Sequence, residues 1–385
     1  MTSSIRLKGL AWGHRRATGP LVPLTERFAQ LRPDIAVDWI VRPLSDFEHQ
    51  GLREVASVYD LIIYDHPFSG AIVESGAFLP LSGREELPLG TRDAGRYLGS
   101  SLRSYRYGGT VWGLPIDAAS QHAIVRTDLL GDEPVPTSWE ETLALGRRLT
   151  SRELRLGLAV TSPHGLLVIG ALMANLGAPW ETDQDRTFGL DRTAFLTAYE
   201  AVVELLKVCP PEVSGWNAID LHDAMTTRND IAFCPCTYGY GTYGEEDQPH
   251  RLAFAPFAGF RAPFHVGSIL GGTGLAVSRN STHPEAALAL VRFAASDEGQ
   301  ALMATRHGQP ALTHLWHDGA LDQRFNGFFS GARSSIETAW VRPRHRGYIP
   351  FQNEAGQVVA EALGQKESGA WVFDRIEPLC ERVNS

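Results

Sequence analysis

Short apolar strands alternate with amphipathic helices from the first residues of the chain, and this alternation restricts the fold more than any other feature. Ile5–Trp12 alternates apolar and polar residues, and Pro20–Leu31 carries apolar residues at helical spacing. Ile35–Val41 alternates again, and Tyr59–Tyr64 is a short apolar run typical of a buried parallel strand. Repeated strand, helix and strand predict an open α/β sheet, in which ligands bind beyond the carboxyl ends of the strands.

The same alternation returns in the middle of the chain. Ser138 and Glu141 have the spacing of a capping box, which predicts that a helix begins there. A further helix is predicted at Thr193–Val208 and a buried strand at Ile231–Cys236. This region is therefore predicted to form a second α/β lobe.

The length and the later segments also favour two lobes. A chain of 385 residues is longer than the about 250–300 residues at which a single core usually stops growing. Pro115 fits poorly in a central strand but suits a segment that crosses between lobes. An extended, glycine-rich stretch at Gly271–Ser278 precedes Pro284, which suits a first helical turn. Two closing helices are predicted at Glu354–Leu363 and Ala370–Val383.

Charge and hydropathy exclude several classes of partner. The formal net charge is −9 and there is no block of like charges, so a nucleic-acid partner is not expected. The apolar runs are shorter than the roughly 18 residues that cross a bilayer. The segment after Met1 lacks the apolar core of a secretory signal, which predicts that a signal was removed or never existed.

Catalytic and metal-binding signatures are missing from the sequence. The chain has no H-E-x-x-H, no G-x-S-x-G and no P-loop motif, so neither a reaction centre nor a cofactor is expected. The four cysteines, Cys209, Cys234, Cys236 and Cys380, are expected to be buried free thiols, and a bridge from Cys209 to Cys234 or Cys236 stays open.

Gly239, Gly241 and Gly244 form a literal G-x-G-x-x-G. A dinucleotide fingerprint must open a helix whose N-terminus meets the pyrophosphate. Here the acidic Glu245–Pro249, which ends in proline, follows instead, so dinucleotide binding is not predicted.

Several segments, in their order and spacing, resemble the family 1 extracellular solute-binding proteins of bacterial ABC importers, whose architecture is that of the maltose-binding protein. The likeness covers nearly the whole chain. The segments that carry it are Tyr107–Asp117 with Val125–Leu129, Pro136–Glu141, Gly274–Ala287 with Phe293–Gln300, and Arg342–Tyr348.

The resemblance implies an α/β, two-lobed periplasmic-binding-protein-like fold, with two open sheets flanked by helices and a ligand cleft between the lobes. Lobe one would comprise residues 1–115 and 272–325, and lobe two residues 116–271 and 326–385. Crossing segments are expected near residues 113–118, 268–274 and 325–335. The lobes would close on a small polar solute, and the monomeric carrier would then dock on the membrane subunits of an ABC permease.

The candidate ligand contacts of lobe one lie at strand ends. Trp12 and His14 end the first strand, and Asp65 and His66 end the third, although Asp65 has an alternative role as a helix cap. Asp117 follows the first crossing segment, where the family commonly presents polar contacts, and is the favoured single contact. Arg15 and Arg16, next to His14, are expected to be solvated.

Further candidates come from later segments. They are Gln121, Tyr238 and Tyr240, Gly272, whose backbone permits close approach or acts as a plain hinge, and Arg342, which would pair with a carboxylate. The basic cluster of Arg342, Arg344, His345 and Arg346 is expected to be a solvated or permease-facing surface more than a ligand site.

Several alternatives stay open. A sugar or polyol is the favoured cargo, because the candidate site mixes Asp and His with aromatic rings, and a small carboxylate is the second. A hydrolase or lyase on the same scaffold is a further alternative to a protein without catalytic activity. The resemblance implies a periplasmic or other extracytoplasmic location, whereas a native start at Met1 would favour a cytoplasmic sensor.

Overall fold

The computed structural model describes residues 5–42, 51–89, 95–181, 188–260 and 267–384. Its strands are β1 Ile5–Trp12, β2 Ile35–Arg42, β3 Leu61–Asp65, β4 Arg106–Tyr107, β5 Thr110–Val111, β6 Leu114–Pro115, β7 Ala119–Val125, β8 Arg155–Leu156, β9 Ile231–Tyr238, β10 Ala253–Ala255, β11 Leu270–Gly271 and β12 Thr273–Val277. The first α-helices are α1 Arg15–Leu31, α2 Leu52–Val58, α3 Ser69–Ser75, α4 Ser101–Ser104, α5 Thr127–Leu130, α6 Trp139–Thr150, α7 His164–Asn175 and α8 Arg192–Leu206. The later ones are α9 Ala218–Thr227, α10 Pro284–Ala294, α11 Asp297–Ala304, α12 Gly319–Arg324, α13 Phe328–Glu337, α14 Tyr348–Gln365 and α15 Gly369–Asn384.

The chain divides into two compact units. The first unit comprises the described residues within Met1–Ala118, Gly271–Leu321 and Arg344–Arg346. The second comprises those within Ala119–Leu270, Asp322–Pro343 and Gly347–Ser385. The short segment Arg344–Arg346 therefore belongs to the first unit, whereas the predicted division gave it to lobe two.

The first unit is built on a mixed sheet in the order β2-β1-β3-β12-β6. β1 pairs in parallel with both β2 and β3, and β12 pairs antiparallel with β3 and β6. Strand β6, which ends at Pro115, lies at the end of this order, where a proline removes no central ladder hydrogen bond. The core of the first unit includes Leu7, Leu10 and Ile62 from the strands and Phe28 from α1.

The second unit has a sheet in the order β10-β7-β9-β8, with β11 paired to β7. β7 and β9 are antiparallel and almost fully buried, which explains the apolar sequence of β9, whereas β7 carries the buried polar residues Ser120, Gln121 and His122. A core of aliphatic and aromatic side chains packs against this sheet from α6, α7, α8, α14 and α15. Trp139, Trp180 and Tyr348 are among its largest fully buried members.

Helix starts follow the local capping chemistry. Ser138 Oγ accepts the amide of Glu141, as predicted, but the Glu141 carboxylate accepts from the Thr137 amide. α1 begins at Arg15 and not at the predicted Pro20, because the side chain of His14 caps it, and Pro20 lies inside the helix.

The predicted α/β class, with two sheets flanked by helices, is confirmed. Within the described ranges, no helix combines the length and the apolar character needed to cross a bilayer.

Candidate functional site

Four strand ends meet at one edge of the first unit's sheet. β1 and β3 run in parallel, so Trp12 and Asp65 lie at the same edge. The antiparallel register places Thr273 opposite Asp65 and Gly274 opposite Pro115. The segments that end β1 and β3, begin β12 and follow β6 therefore meet there, and we call this the first-unit edge.

The first-unit edge contains the six predicted contacts Trp12, His14, Asp65, His66, Asp117 and Gly272. Trp12, Arg16, Asp117 and Thr273 help to line one cavity of about 20 Å³. A space of this size admits about one water molecule. Trp12 and Asp117, which are distant in the sequence, are therefore neighbours in the fold.

Asp117 is engaged by Arg16. Arg16 Nε donates to Asp117 Oδ1 at 2.9 Å and Nη2 donates to Oδ2 at 2.5 Å. Only 5% of Arg16 and 9% of Asp117 are exposed. The prediction that Arg16 is solvated is wrong, because its guanidinium is buried in a bidentate ion pair, the geometry that suits arginine and carboxylate best.

His14 contacts the Trp12 ring and the first turn of α1. Its imidazole stacks on Trp12, with ring centroids 5.6 Å apart, and its Nδ1 accepts the amide of Arg16 at 3.1 Å. Burial and, to a smaller degree, the positive charge of Arg16 lower the pKa of His14 to about 3. At neutral pH the His14 ring is therefore uncharged, with Nδ1 as an acceptor.

Asp65 and His66 occupy the end of β3. Asp65 precedes the 3₁₀-helix His66–Phe68, but its side chain makes no capping hydrogen bond, so its alternative role as a cap is wrong. His66 is fully buried, and its Nδ1 lies 3.1 Å from Asp65 Oδ1. About a third of the Asp65 side chain is exposed, although its Oδ1 is buried.

Gly272 is required for close backbone packing. It has a φ of +100°, and a Cβ there would lie 2.4 Å from the Asp117 carbonyl oxygen. That oxygen accepts the amide of Thr273 at 3.1 Å, and the Gly272 carbonyl accepts from Tyr105 Oη at 3.0 Å. The predicted close approach at Gly272 is therefore to the chain's own backbone.

In the second unit, Gln121 and Tyr238 are register partners across β7 and β9. The guanidinium of Arg342 lies 5.8 Å from the centroid of the Tyr238 ring, and its Nη1 donates to Gln352 Oε1 at 3.1 Å. Three predicted contacts, Gln121, Tyr238 and Arg342, are thus brought close together within this unit.

The residues of the basic cluster differ in their exposure to solvent. Arg342 is 4% exposed and Arg344 is 6% exposed, so the predicted solvated surface is wrong for both. Arg344 Nη1 donates to the main-chain carbonyls of Arg103 at 2.9 Å and Arg106 at 2.7 Å, which explains its burial. Arg346 is exposed and pairs with Glu74.

The glycine-rich loop owes its glycines to packing. A Cβ on Gly239 would lie 1.6 Å from His122 Nε2, and one on Gly244 would lie 2.2 Å from the Phe325 carbonyl oxygen. Gly241–Gly244 forms a short 3₁₀-helix, so a dinucleotide fingerprint at an α-helix start does not form here. Tyr240 is mostly buried in this loop, beside His222.

The cysteine side chains lie in the interior of the protein. All four cysteines are buried and free, and burial raises the pKa of Cys234 and Cys380 to about 12, which disfavours the thiolate. Within the described part of the chain, no group of three or more His, Cys, Asp and Glu side chains is arranged to hold a metal ion.

Two residues that contact predicted ligand contacts, one in each unit, are not predicted from the sequence. Arg16 is predicted to be solvated, although His14, two residues before it, is a predicted contact. His222 was not considered, and its position beside Tyr240 depends on a tertiary contact between α9 and the loop after β9. Neither contact leaves a periodic signal, because each joins residues that are distant in the sequence.

A known protein family matches most of the chain. A model of the family described as bacterial extracellular solute-binding protein matches residues 15–301, well over half of the chain. A search of the curated proteins found no match.

Solved structures with the same fold cover almost all of the chain. The maltose-bound MalE3 protein of T. maritima has 18% identity and a TM-score of 0.82, and the match covers 98% of this chain and 99% of that one. A tagatose-bound ABC transporter solute-binding protein of Thermotoga lettingae has 16% identity and a TM-score of 0.81, over 99% and 100% of the two chains. A ribitol complex from Agrobacterium radiobacter has 16% identity and a TM-score of 0.79, over 99% of each chain. The predicted binding-protein-like fold is therefore confirmed.

Proposed function

Because the chain belongs to the family of bacterial extracellular solute-binding proteins, we propose that it captures a sugar or polyol and delivers it to the membrane permease of an ABC importer. The structures with the same fold are described as bound to maltose, tagatose and ribitol, which supports this choice of cargo. Their sequence identities of 16–18% establish only the shared fold, so the cargo is our proposal.

One observation carries the proposal most strongly: Trp12, His14, Asp65 and His66 meet at the first-unit edge. A polyhydroxyl solute needs a flat apolar face for its ring or chain and directed donors and acceptors for its hydroxyl groups. In this proposal the Trp12 indole, which is 7% exposed, provides the face, the Asp65 carboxylate accepts from hydroxyl groups, and the neutral His14 ring adds a further polar contact.

At the first-unit edge, the charges favour a neutral solute over a carboxylate. Arg16 is bound to Asp117, Arg344 to main-chain carbonyls and Arg346 to Glu74, so none of these three offers a ready partner for an anion. His14 is uncharged at neutral pH because burial lowers its pKa to about 3. A small carboxylate at the first-unit edge would find the Asp65 carboxylate and little compensating positive charge.

We assign the ligand contacts separately in each unit. In the first unit they are Trp12, His14, Asp65, His66 and Gly272, and in the second unit Gln121, Tyr238, Tyr240 and Arg342. Asp117 is a weaker candidate, because Arg16 occupies both of its carboxylate oxygens.

We further propose that the protein acts as a monomer outside the cytoplasm and releases its solute unchanged. The family description as extracellular supports this location. No catalytic chemistry is needed for a carrier whose site consists of stacking and hydrogen-bonding groups.

A thermal-shift screen tests this function. Maltose, D-tagatose, ribitol and D-mannitol are compared with a panel of small carboxylates. A ligand that binds only the folded protein adds about 2.7 kcal/mol of stability at 100 times its Kd. At least one sugar or polyol is expected to raise the melting temperature, whereas stabilisation by carboxylates alone would contradict the proposal.

Two tryptophan variants test whether the shift in melting temperature depends on Trp12. Trp12→Ala is expected to abolish the sugar-induced shift, because it removes the stacking face. Trp371→Ala, on the last helix where Trp371 contacts Arg375, should keep the full shift. Loss of the shift in both variants would contradict the assignment of Trp12.

A further inference from the structure

His222 lies at the centre of the contacts that hold Tyr240. It is a fully buried residue of α9. Its Nδ1 lies 2.6 Å from the carbonyl oxygen of Ala218, and its Nε2 lies 3.3 Å from the amide nitrogen of Tyr240. One imidazole therefore connects a helix to the backbone of the loop that follows β9.

These two partners select a single form of the ring. A carbonyl oxygen only accepts, so His222 Nδ1 must carry the proton, and the Tyr240 amide only donates, so Nε2 must be bare. The neutral Nδ1–H tautomer satisfies both contacts at once. The other tautomer would oppose lone pair to lone pair at Ala218 and proton to proton at Tyr240.

Aromatic contacts extend the same anchor. The His222 ring packs at 4.7 Å from Tyr243 and edge-on at 5.4 Å from Tyr240, measured between centroids. The neighbouring Asp223 accepts a hydrogen bond from Tyr243 Oη at 2.8 Å. The consecutive residues His222 and Asp223 thus hold both tyrosines of the loop.

The loop has little space in which to adopt another arrangement. The Cα of Gly239 packs directly against His122, and Gly241 packs against the Phe328 ring, where a Cβ would come within 2.9 Å of Cδ1. Tyr240 lies between these two tightly packed glycines. The hydrogen bond from the Tyr240 amide to His222 is therefore one of the contacts that fix this tightly packed loop.

We propose that His222 is a positioning residue for solute binding: by accepting the Tyr240 amide it fixes where the Tyr240 ring stands. His222 is buried and acts only through Tyr240. The inference rests on the proposed function, because Tyr240 is one of the contacts assigned to the solute.

Two amide substitutions separate the roles of the two ring nitrogens. In His222→Gln the side-chain oxygen reaches the position of Nε2 and can still accept the Tyr240 amide. In His222→Asn the shorter side chain reaches only the position of Nδ1 and retains the contact with Ala218. Both variants lose the ring, so they share the cost of lost packing.

The first readout does not need a solute. Amide hydrogen exchange of Tyr240, followed by NMR on protein labelled at tyrosine, is expected to be at least about tenfold faster in His222→Asn than in His222→Gln. Tyr243→Phe is the control, because it removes the bond to Asp223 but leaves the Tyr240 amide bonded. Equal exchange in the Gln and Asn variants would overturn the proposal.

The second readout is affinity, measured by isothermal titration calorimetry with maltose, D-tagatose, ribitol and D-mannitol. His222→Asn is expected to raise the Kd about fivefold or more relative to His222→Gln, the effect of about one hydrogen bond. Equal Kd values in these two variants would overturn the role in binding. Failure of the unmodified protein to bind any of the four probes would overturn the sugar proposal instead, while the exchange comparison would still decide whether His222 fixes Tyr240.

Discussion

The guanidinium of Arg16 and the carboxylate of Asp117 form a buried bidentate ion pair between residues 101 positions apart in the sequence. The pair joins the first turn of α1, which follows His14, to the segment after β6. It also explains why the carboxylate that the sequence suggests as the best ligand contact is already occupied. We expect this ion pair to hold α1 and the segment after β6 together.

Breaking the ion pair between Arg16 and Asp117 should lower the free energy of unfolding. Arg16→Met leaves the Asp117 carboxylate buried without its partner, and the expected loss is about 3–5 kcal/mol of unfolding free energy, measured by urea denaturation. The double variant Arg16→Met/Asp117→Asn should lose less than the sum of the two single losses. If the losses of the two single variants sum to the loss of the double variant within about 0.5 kcal/mol, the two side chains do not interact.

Gly272 should not tolerate a side chain. Gly272→Ala is expected to lower the free energy of unfolding by about 3 kcal/mol, because it combines a left-handed φ with a Cβ close to the Asp117 carbonyl oxygen. Gly83→Ala is the matched control: Gly83 has a φ of +81° but open space around its Cα, so only the cost of the dihedral angle, about 1 kcal/mol, is expected. Equal losses in chemical denaturation would refute the steric part of the account.

Arg344 and Arg346 should behave differently although they belong to one basic cluster. Arg344→Met removes the donor that serves the carbonyls of Arg103 and Arg106, and we expect a loss of about 2–4 kcal/mol. Arg346→Met removes an exposed ion pair with Glu74 and should cost less than about 1 kcal/mol. Melting temperatures of the two variants give the comparison, and a larger effect at Arg346 would contradict it.

Two histidines should make stability depend on pH. Burial lowers the pKa of His14 to about 3 and that of His164 to about 4, below the ordinary value of 6.5. Between these values the unfolded chain binds protons that the folded chain does not, so stability is complete above about pH 6.5 and falls as the pH falls. Each proton contributes a slope of up to about 1.4 kcal/mol per pH unit.

The pH prediction can be checked by denaturation between pH 7.5 and pH 4.5. The double variant His14→Gln/His164→Gln should show a flatter profile than the unmodified protein over this range. Identical slopes would mean that neither histidine is held in its neutral form by the fold.

Much of the fold could be predicted from the sequence because it depends on local patterns. Ile5–Trp12 has the predicted bounds, and the helix predicted at Thr193–Val208 spans Arg192–Leu206. The helix predicted at Pro20–Leu31 from its apolar spacing begins five residues earlier, at Arg15, because the His14 side chain caps it there. Proline constrains its own φ but does not exclude a position inside a helix that other contacts stabilise.

The candidate site was predictable only in part. Residues at strand ends, such as Trp12 and Asp65, follow from the α/β pattern, since parallel strands end at the same edge of a sheet. Charge pairing was not predictable: Arg16, Arg342 and Arg344 read as surface residues, and each is buried through a tertiary contact that no spacing rule reveals. The contact between His222 and Tyr240 belongs to the same class.

The most direct test of the central claim is calorimetric titration of the protein with maltose, D-tagatose, ribitol and D-mannitol, followed by mass spectrometry of the recovered solute. The account predicts saturable binding of at least one of them, one solute per chain, with the solute recovered unchanged. Binding restricted to small carboxylates, or chemical conversion of the bound solute, would contradict it.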